Sequence, residues 1–298
     1  MLNLRRGITQ ERNGVEPAAP LMERFSELLW PLDTVAKRWD MLAPSVRAYG
    51  PADEEPRPAV LLFHGCAGMR PHIYTYAEAA AAAGYRAFMI DSFEPRGWSM
   101  GYGAAFVCSG ALFWGRERAG DVLAAVWGLS QDPGVDASRI CLAGWSHGSW
   151  SIMDLMTMAL EKPGEAALAD PTAECLSGVK SLFLVYPYGG PGALSRSRPW
   201  VRAPQTFVVV AEKDHLTAQA DALRIFDAPR QHHADVDVWI APGTHAFDAP
   251  GHEGFPSPMR YDPELAEGCL ERFLGFLGRT LDPPRPGLLR AGGQALGA

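Results

Sequence analysis

The stretch Gly144-Trp145-Ser146-His147-Gly148 decides the fold of this chain, because it places a serine between two glycines where a strand pattern gives way to a helix pattern. The apolar run from Ile140 to Ala143 before it is typical of a short buried strand. A sharp turn at this point strains the backbone of Ser146 and lifts its hydroxyl toward the positive end of the following helix. The pentapeptide therefore predicts a nucleophilic serine, with a plain glycine-bounded turn as the alternative. One apolar helix face follows it, formed by Ile152, Leu155, Met156 and Ala159.

Length, charge and cysteine content narrow the class of protein. With 298 residues, 47% of them hydrophobic and 20% charged, the chain suits one large α/β domain or two small ones. The net charge of −7 argues against a nucleic-acid partner. We expect neither a signal peptide nor a membrane span, because no apolar run is long enough for one. The five cysteines include no C-x-x-C pair and predict mostly reduced, buried thiols in a cytoplasmic protein.

Short apolar strands alternate with helices along most of the chain, which predicts a mostly parallel sheet covered by helices on both faces. We expect an N-terminal extension over residues 1–55 that packs on or near the core and includes a short amphipathic helix from Leu21 to Trp30. The main domain is expected over residues 56–281 and a disordered tail over residues 282–298. Residues 187–204 lack a strong pattern and are expected to form a loop over the site. The predicted strands are Ala59 to His64, Arg86 to Ile90, Ile140 to Ala143, Ser181 to Tyr186, Thr206 to Ala211 and Val236 to Ile240.

A nucleophilic serine needs a base to take its proton and a carboxylate to orient that base. In a strand–turn–helix arrangement of this kind, the acid and then the histidine follow the serine at the ends of later strands. Asp214 lies three residues past the predicted strand that ends at Ala211, and we predict that it is the acid. Glu212 is the nearer alternative, although its direction is constrained by the strand end. The non-catalytic alternative for Asp214 is a solvated turn carboxylate or a helix cap.

The base is expected in the loop after the last strand, and His245 lies there in a segment rich in turn-forming residues. His252 in the same segment is the main alternative. His232 and His233 precede that strand and are expected on the surface at the opposite end of the sheet. His215 neighbours the predicted acid and is expected to shape its loop.

The developing oxyanion needs two N–H donors. We predict the backbone N–H of His147, directly after the serine, and that of Cys66 in the loop His64-Gly65-Cys66-Ala67-Gly68 after the first core strand. His64 is expected to hold this loop in place. Cys66 as a second nucleophile is the alternative, but no base is placed for it. The eight histidines show no compact metal-ligand spacing and the chain has no phosphate-binding glycine loop, so neither metal nor cofactor is expected.

Four aromatic residues near the predicted strand ends, Trp145, Trp150, Tyr186 and Tyr188, indicate an apolar pocket for an acyl or aryl group.

With these elements placed, the chain resembles the α/β-hydrolase superfamily and, within it, the dienelactone hydrolase family, over roughly residues 55–280. The resemblance implies hydrolysis of carboxylic esters or lactones through an acyl-enzyme, without metal or organic cofactor. The dienelactone enzymes proper carry a cysteine where this chain has Ser146, so the resemblance is to their serine-bearing relatives. It rests on His64-Gly65-Cys66-Ala67-Gly68, Asp91-Ser92-Phe93-Glu94-Pro95-Arg96-Gly97, Gly144-Trp145-Ser146-His147-Gly148 and Gly243-Thr244-His245-Ala246-Phe247.

By analogy with the family, Arg96 is a candidate for binding a substrate carboxylate. A buried ion pair with Asp91 or Glu94 is the alternative interpretation.

The sequence thus predicts a serine hydrolase acting on a small-molecule ester or lactone. Acyl transfer to an alcohol or amine and peptide cleavage would use the same triad, and a non-catalytic ligand-binding protein of the same fold is the alternative of another class. The substrate and the oligomeric state are left open.

Overall fold

Seven strands form one sheet in the computed structural model, which describes residues 32–51, 53, 55–231, 235–251 and 258–281. The sheet order is β1-β3-β2-β4-β5-β6-β7, and all neighbours are parallel except β1, which pairs antiparallel with β3 at one edge. This confirms the predicted fold class. The strands are β1 (Arg47–Tyr49), β2 (Arg57–Phe63), β3 (Arg86–Ile90), β4 (Val135–Trp145), β5 (Val179–Val185), β6 (Gln205–Lys213) and β7 (Val236–Thr244).

Six longer helices are described, and they cover both faces of the sheet. They are α1 (Val35–Leu42), α2 (Pro71–Ala82), α3 (Gly115–Leu129), α4 (His147–Met156), α5 (Gln219–Gln231) and α6 (Pro263–Thr280). One helical turn, Met100–Tyr102, continues as a π-helical turn, Gly103–Val107, between β3 and α3.

The two faces of the central strands carry separate cores, because successive side chains of a strand point to opposite sides. Along β2, Leu61 packs with α3 and α4, whereas Val60 and Leu62 pack with α2 and α6. Both faces are apolar, which explains why the strands read as near-continuous hydrophobic runs in the sequence.

The structure adds elements that the sequence pattern does not predict. Residues 31–57 show no clear periodicity, yet they contain α1 and β1, and a compact unit begins at Asp33. Long-range polar contacts hold α1, since Val35 N–H donates to Asp170 and Arg38 pairs with Asp121. The predicted helix from Leu21 to Trp30 and the predicted tail lie outside the described residues.

None of the described helices is long and apolar enough to cross a membrane.

The parallel strands bring their carboxyl ends to one edge of the sheet. Phe63 of β2 lies beside Gly144 of β4, Trp145 of β4 beside Val185 of β5, and Val185 beside Val209 of β6. The residues that follow these strands therefore meet at one edge, where α/β sheets bind their ligands.

Candidate active site

Ser146 lies on the turn between β4 and α4 with φ 52° and ψ −109°, a strained conformation for a residue with a side chain. Glycine is required on both sides of it. A Cβ on Gly144 would lie 2.6 Å from the backbone nitrogen of Ser149, and one on Gly148 would lie 2.2 Å from the carbonyl oxygen of Phe63. A side chain at either position would collide with the backbone, as the two glycines of the pentapeptide predict.

A chain of hydrogen bonds joins the three residues that the sequence proposes as a triad. His245 Nε2 lies 2.9 Å from Ser146 Oγ, and His245 Nδ1 lies 2.7 Å from Asp214 Oδ2. Ser146 and His245 are buried, at 7% and 3% exposure. The structure therefore brings together side chains that are 31 and 99 residues apart in the chain.

Asp214 is fixed as an ionised acceptor. Its Oδ1 accepts hydrogen bonds from the backbone N–H groups of Leu216 and Thr217, at 2.8 and 3.1 Å. Burial by itself would raise the pKa of this carboxyl, but the hydrogen bond and charge of His245, together with the two amides, hold the pKa below its usual value. The carboxylate is thus charged at neutral pH and holds His245 in one orientation.

The described alternatives to Asp214 and His245 take no part in the hydrogen-bonded chain to Ser146. Glu212 is exposed within the end of β6 and Asp214 follows the strand, as expected. His215 is exposed, and its ring centroid lies 5.9 Å from that of His245. His64 is fully buried, where its Nε2 accepts from the backbone N–H of Ser92 and its Nδ1–H donates to Gly65 O. His232, His233 and His252 lie outside the described residues.

The two predicted oxyanion donors flank the serine. His147 is the first residue of α4, a position whose N–H has no acceptor within its own helix. The loop after β2 packs against the nucleophile, since a Cβ on Gly65 would lie 3.6 Å from Ser146 Cβ. The N–H of Cys66 in this loop donates to no other group in the described part of the chain.

Cys66 is joined to Cys108 by a disulfide, a pair that the expectation of mostly reduced thiols does not include. The segment after β3 folds back over the loop of Cys66, and Phe93, Val107 and Phe113 form a small core between them. Cys66 thus has no free thiol to act as a second nucleophile. Because disulfides are rare in cytosolic proteins, the cysteines no longer support a cytoplasmic location. Cys141, Cys175 and Cys269 remain free thiols.

A fully buried arginine contacts both segments that carry the predicted oxyanion donors. Arg118 donates from Nη1 to the carbonyl of His64 at 2.6 Å and from Nε to Ser92 Oγ at 3.0 Å, and its Nη1 also lies 3.2 Å from His147 Nδ1. His147 Nε2 lies 2.7 Å from the carbonyl oxygen of Phe113 and donates to it. Burial and the charge of Arg118 hold the pKa of His147 well below its usual value, so this imidazole is neutral.

Arg96 pairs with Asp121, a partner that its sequence neighbours do not indicate. Its two terminal nitrogens lie 2.9 and 2.8 Å from the two carboxylate oxygens of that fully buried residue. The guanidinium also lies 4.6 Å from the ring centroid of Phe113. Asp91 instead accepts from the N–H groups of Phe93 and Glu94. Arg96 lines neither cavity beside Ser146 and forms an ion pair with Asp121 rather than with Asp91 or Glu94, so its contact with a substrate carboxylate stays a prediction.

Asp248 is a site residue that the sequence reasoning missed. It is buried and accepts hydrogen bonds from Tyr186 OH at 2.6 Å, Trp145 Nε1 at 3.0 Å and Tyr76 OH at 3.1 Å. The ring centroid of Tyr186 lies 4.7 Å from that of His245. Asp248 thus fixes Tyr186 beside His245 and binds Trp145 through the same carboxyl group, and its only sequence signal is its position three residues after His245.

Two cavities flank Ser146. The aromatic cavity, of about 320 Å³, is walled by Trp114, Trp150 and Tyr188, with His147 at its base. Residues 187–204, expected as a loop over the site, supply Tyr188 and two further wall residues, Pro191 and Gly192.

The histidine cavity, of about 250 Å³, contains His245 and is also lined by Arg70, His72, His215 and Tyr186. A larger cavity of about 540 Å³ includes Val179 and Gln205 at the opposite, amino ends of β5 and β6 and is remote from Ser146.

Solved structures of other proteins share this fold. Esterase 2 of Thermogutta terrifontis, phosphonylated by sarin, has a TM-score of 0.58 at 16% identity and covers 80% of this chain and 91% of its own. A candidate dienelactone hydrolase from Klebsiella pneumoniae has a TM-score of 0.56 at 17% identity, with 78% and 92% covered. A dienelactone hydrolase-like promiscuous phosphotriesterase from metagenomic libraries has the same score and identity, with 79% and 92% covered.

No curated protein matches this chain in sequence. The family model of the dienelactone hydrolases, in contrast, matches residues 45–281, which include β1 to β7 and every residue of the site described above. The chain therefore belongs to the dienelactone hydrolase family.

Proposed function

We propose that the protein is a serine hydrolase that cleaves small-molecule carboxylic esters or lactones through an acyl-enzyme on Ser146. The observation that carries the proposal is the continuous hydrogen-bonded chain from Asp214 through His245 to Ser146 Oγ. A buried serine, histidine and ionised carboxylate in this order are the parts that acyl transfer requires. Membership of a hydrolase family supports the same reaction class.

In the first half of the reaction, His245 Nε2 takes the proton of Ser146 as Oγ attacks the ester carbonyl carbon. The carbonyl oxygen becomes an oxyanion, which we place between the N–H groups of Cys66 and His147. The positive end of α4 adds to the stabilisation of this charge. When the intermediate collapses, His245 returns the proton to the departing alcohol oxygen and the acyl group stays on Ser146.

In the second half, a water molecule gives a proton to His245 and attacks the acyl carbon. The second tetrahedral intermediate forms in the same hydrogen-bonded pocket and releases the acid, while His245 returns the proton to Ser146. Asp214 stays ionised throughout and stabilises the imidazolium that forms in each half. For a lactone, the alcohol and the acid are released as one molecule.

The test is the loss of turnover when the nucleophile is removed. Ser146→Ala should abolish hydrolysis of 4-nitrophenyl acetate, whereas Ser138→Ala, a matched change of an exposed serine, should leave it unchanged. The Thermogutta esterase is phosphonylated by sarin, and we expect Ser146 to react in the same way with a fluorophosphonate probe. Full activity in Ser146→Ala would end the proposal, and folded wild-type protein that takes up no probe would favour a ligand-binding function.

A further inference from the structure

We propose that this enzyme acts on esters whose acyl group carries an uncharged aromatic ring, and that this ring lies in the aromatic cavity formed by Trp114, Trp150 and Tyr188. The inference rests on the proposed ester-hydrolase function and specifies its substrate class.

The chemistry of the tetrahedral intermediate assigns a side of Ser146 to each part of the substrate. The attacked carbon carries the serine oxygen, the oxyanion, the departing alcohol oxygen and the acyl substituent. The alcohol oxygen must face His245, because that residue protonates it. His245 lines the histidine cavity and does not line the aromatic cavity. The alcohol portion therefore extends into the histidine cavity, and the acyl substituent is left with the aromatic one.

A physical partition keeps the two cavities distinct on either side of the reacting atom. Only four described residues line both of them: Ser146 itself, the two half-cystines Cys66 and Cys108, and Leu216. The disulfide holds its part of this wall in place from two separate segments of chain. A substrate bound at Ser146 must consequently extend in both directions, with its acyl and alcohol portions separated.

The walls of the aromatic cavity suit a flat ring. The ring centroids of Trp150 and Tyr188 lie 4.8 Å apart, and the imidazole of His147 meets Trp150 edge-on at 5.1 Å. The ring of Trp114 is backed closely by the chain, since a Cβ on Gly192 would lie 3.0 Å from it. Aromatic groups prefer such tilted and edge-on neighbours, so these walls favour an aryl group over a short alkyl group.

An ionised acyl group would find no charged partner among the described residues that line the aromatic cavity. Among the described residues, no Asp, Glu, Lys or Arg lines the aromatic cavity. His147 at its base is neutral, and the guanidinium of Arg116 stacks on the Trp114 ring without lining the cavity. A charged acyl substituent would lose its hydration there without gaining a partner. The histidine cavity, in contrast, is lined by Arg70 and three histidines.

Two isomeric esters test the assignment, because methyl benzoate carries its ring on the acyl side and phenyl acetate carries it on the alcohol side. kcat/KM for both is measured in the wild type and in Trp114→Ala and Tyr188→Ala, and each variant value is divided by the wild-type value to remove the difference in intrinsic reactivity. Loss of one aromatic wall should lower the ratio for methyl benzoate at least about tenfold more than the ratio for phenyl acetate.

Trp127→Ala is the matched control, since this half-buried indole lies on α3 and lines neither cavity. It should change both ratios by the same factor. Trp114→Ala keeps the backbone N–H that donates to Glu117 at the start of α3, and thermal unfolding checks that each variant is folded.

Equal losses for the two esters in folded variants, a loss confined to phenyl acetate, or wild-type turnover of phenyl acetate alone would overturn the assignment while leaving the ester-hydrolase function intact. A wild type that hydrolyses neither ester and does not react with a fluorophosphonate would refute the proposed function itself, and the substrate class with it.

Discussion

Removing the Cys66–Cys108 disulfide, by the substitution Cys108→Ser or by reduction, should destabilise the protein and weaken its active site. The bond closes a loop across a sequence separation of 42 residues. The chain-entropy relation for a loop of this length gives a loss of about 4 kcal/mol in the free energy of unfolding. With a urea dependence of about 3 kcal/mol per molar, the unfolding midpoint should fall by about 1.3 M.

The effect on catalysis follows from the place of the bond. Cys66 carries one of the two proposed oxyanion donors, and the disulfide anchors its loop to the segment that ends in Cys108. Loosening this loop affects a contact made only in the transition state, so kcat should fall by up to about tenfold with little change in KM. The assay is 4-nitrophenyl acetate hydrolysis with and without a dithiol reductant, beside urea unfolding of the same samples.

Cys175→Ser is the matched control, because this half-buried thiol is free. It should keep the wild-type sensitivity to the reductant, whereas Cys108→Ser should have lost it. The unfolded, unreduced protein should expose three thiols, those of Cys141, Cys175 and Cys269, against five after reduction. Five thiols before reduction, or equal urea midpoints for the oxidised and reduced protein, would refute the reasoning.

Three further predictions concern the carboxyl groups of Asp214 and Asp154 and the phenol of Tyr186. Asp214→Asn should lower kcat by about 10⁴-fold, because it supports the wrong tautomer of the base; Glu212→Gln should have little effect, and steady-state hydrolysis of 4-nitrophenyl acetate compares them. Burial raises the pKa of Asp154 to about 7, so the folded protein holds a proton that the unfolded chain releases near pH 4, and stability should fall as the pH rises from about 4 to 7. Asp154→Asn should thus be more stable than the wild type by about 2–4 kcal/mol at about pH 8, and no more stable at about pH 4. Urea unfolding at both pH values measures the difference. A variant as stable as the wild type at both pH values would contradict this prediction. Tyr186→Phe removes one of three donors to buried Asp248 and should lower the free energy of unfolding by about 1–3 kcal/mol, a change that Tyr102→Phe should not produce in the same urea assay.

The positions of the strand ends made part of the site predictable from the sequence. Ser146, Asp214 and His245 each follow an apolar run that forms a parallel strand. Since parallel strands of one sheet end at the same edge, the order of runs in the chain was enough to predict that these side chains meet. The choice of Asp214 over Glu212 depended on the same logic, because β6 extends through Lys213 and Glu212 is exposed at its end.

The periodicity of apolar residues did not predict contacts between distant segments of the chain. Arg96 pairs with Asp121, 25 residues away and on another element, whereas the sequence offered a substrate carboxylate or an ion pair with Asp91 or Glu94. Trp145 is adjacent to Ser146 in sequence and lines the histidine cavity with its indole bound to Asp248, while Tyr188 from a later loop forms a wall of the aromatic cavity. Periodicity reports which face of an element is buried, but it does not report which partner lies there.

The sequence by itself determined the alternation of strands and helices, the strained serine turn and the order of the residues that follow the strands, because these depend on local backbone geometry and on the periodicity of apolar side chains. Only the tertiary structure decided that Cys66 is oxidised, that Asp248 holds Tyr186 beside the base, and that Ser146 separates two cavities of different character. Each of these depends on which segments, far apart in the chain, pack against one another in the folded protein.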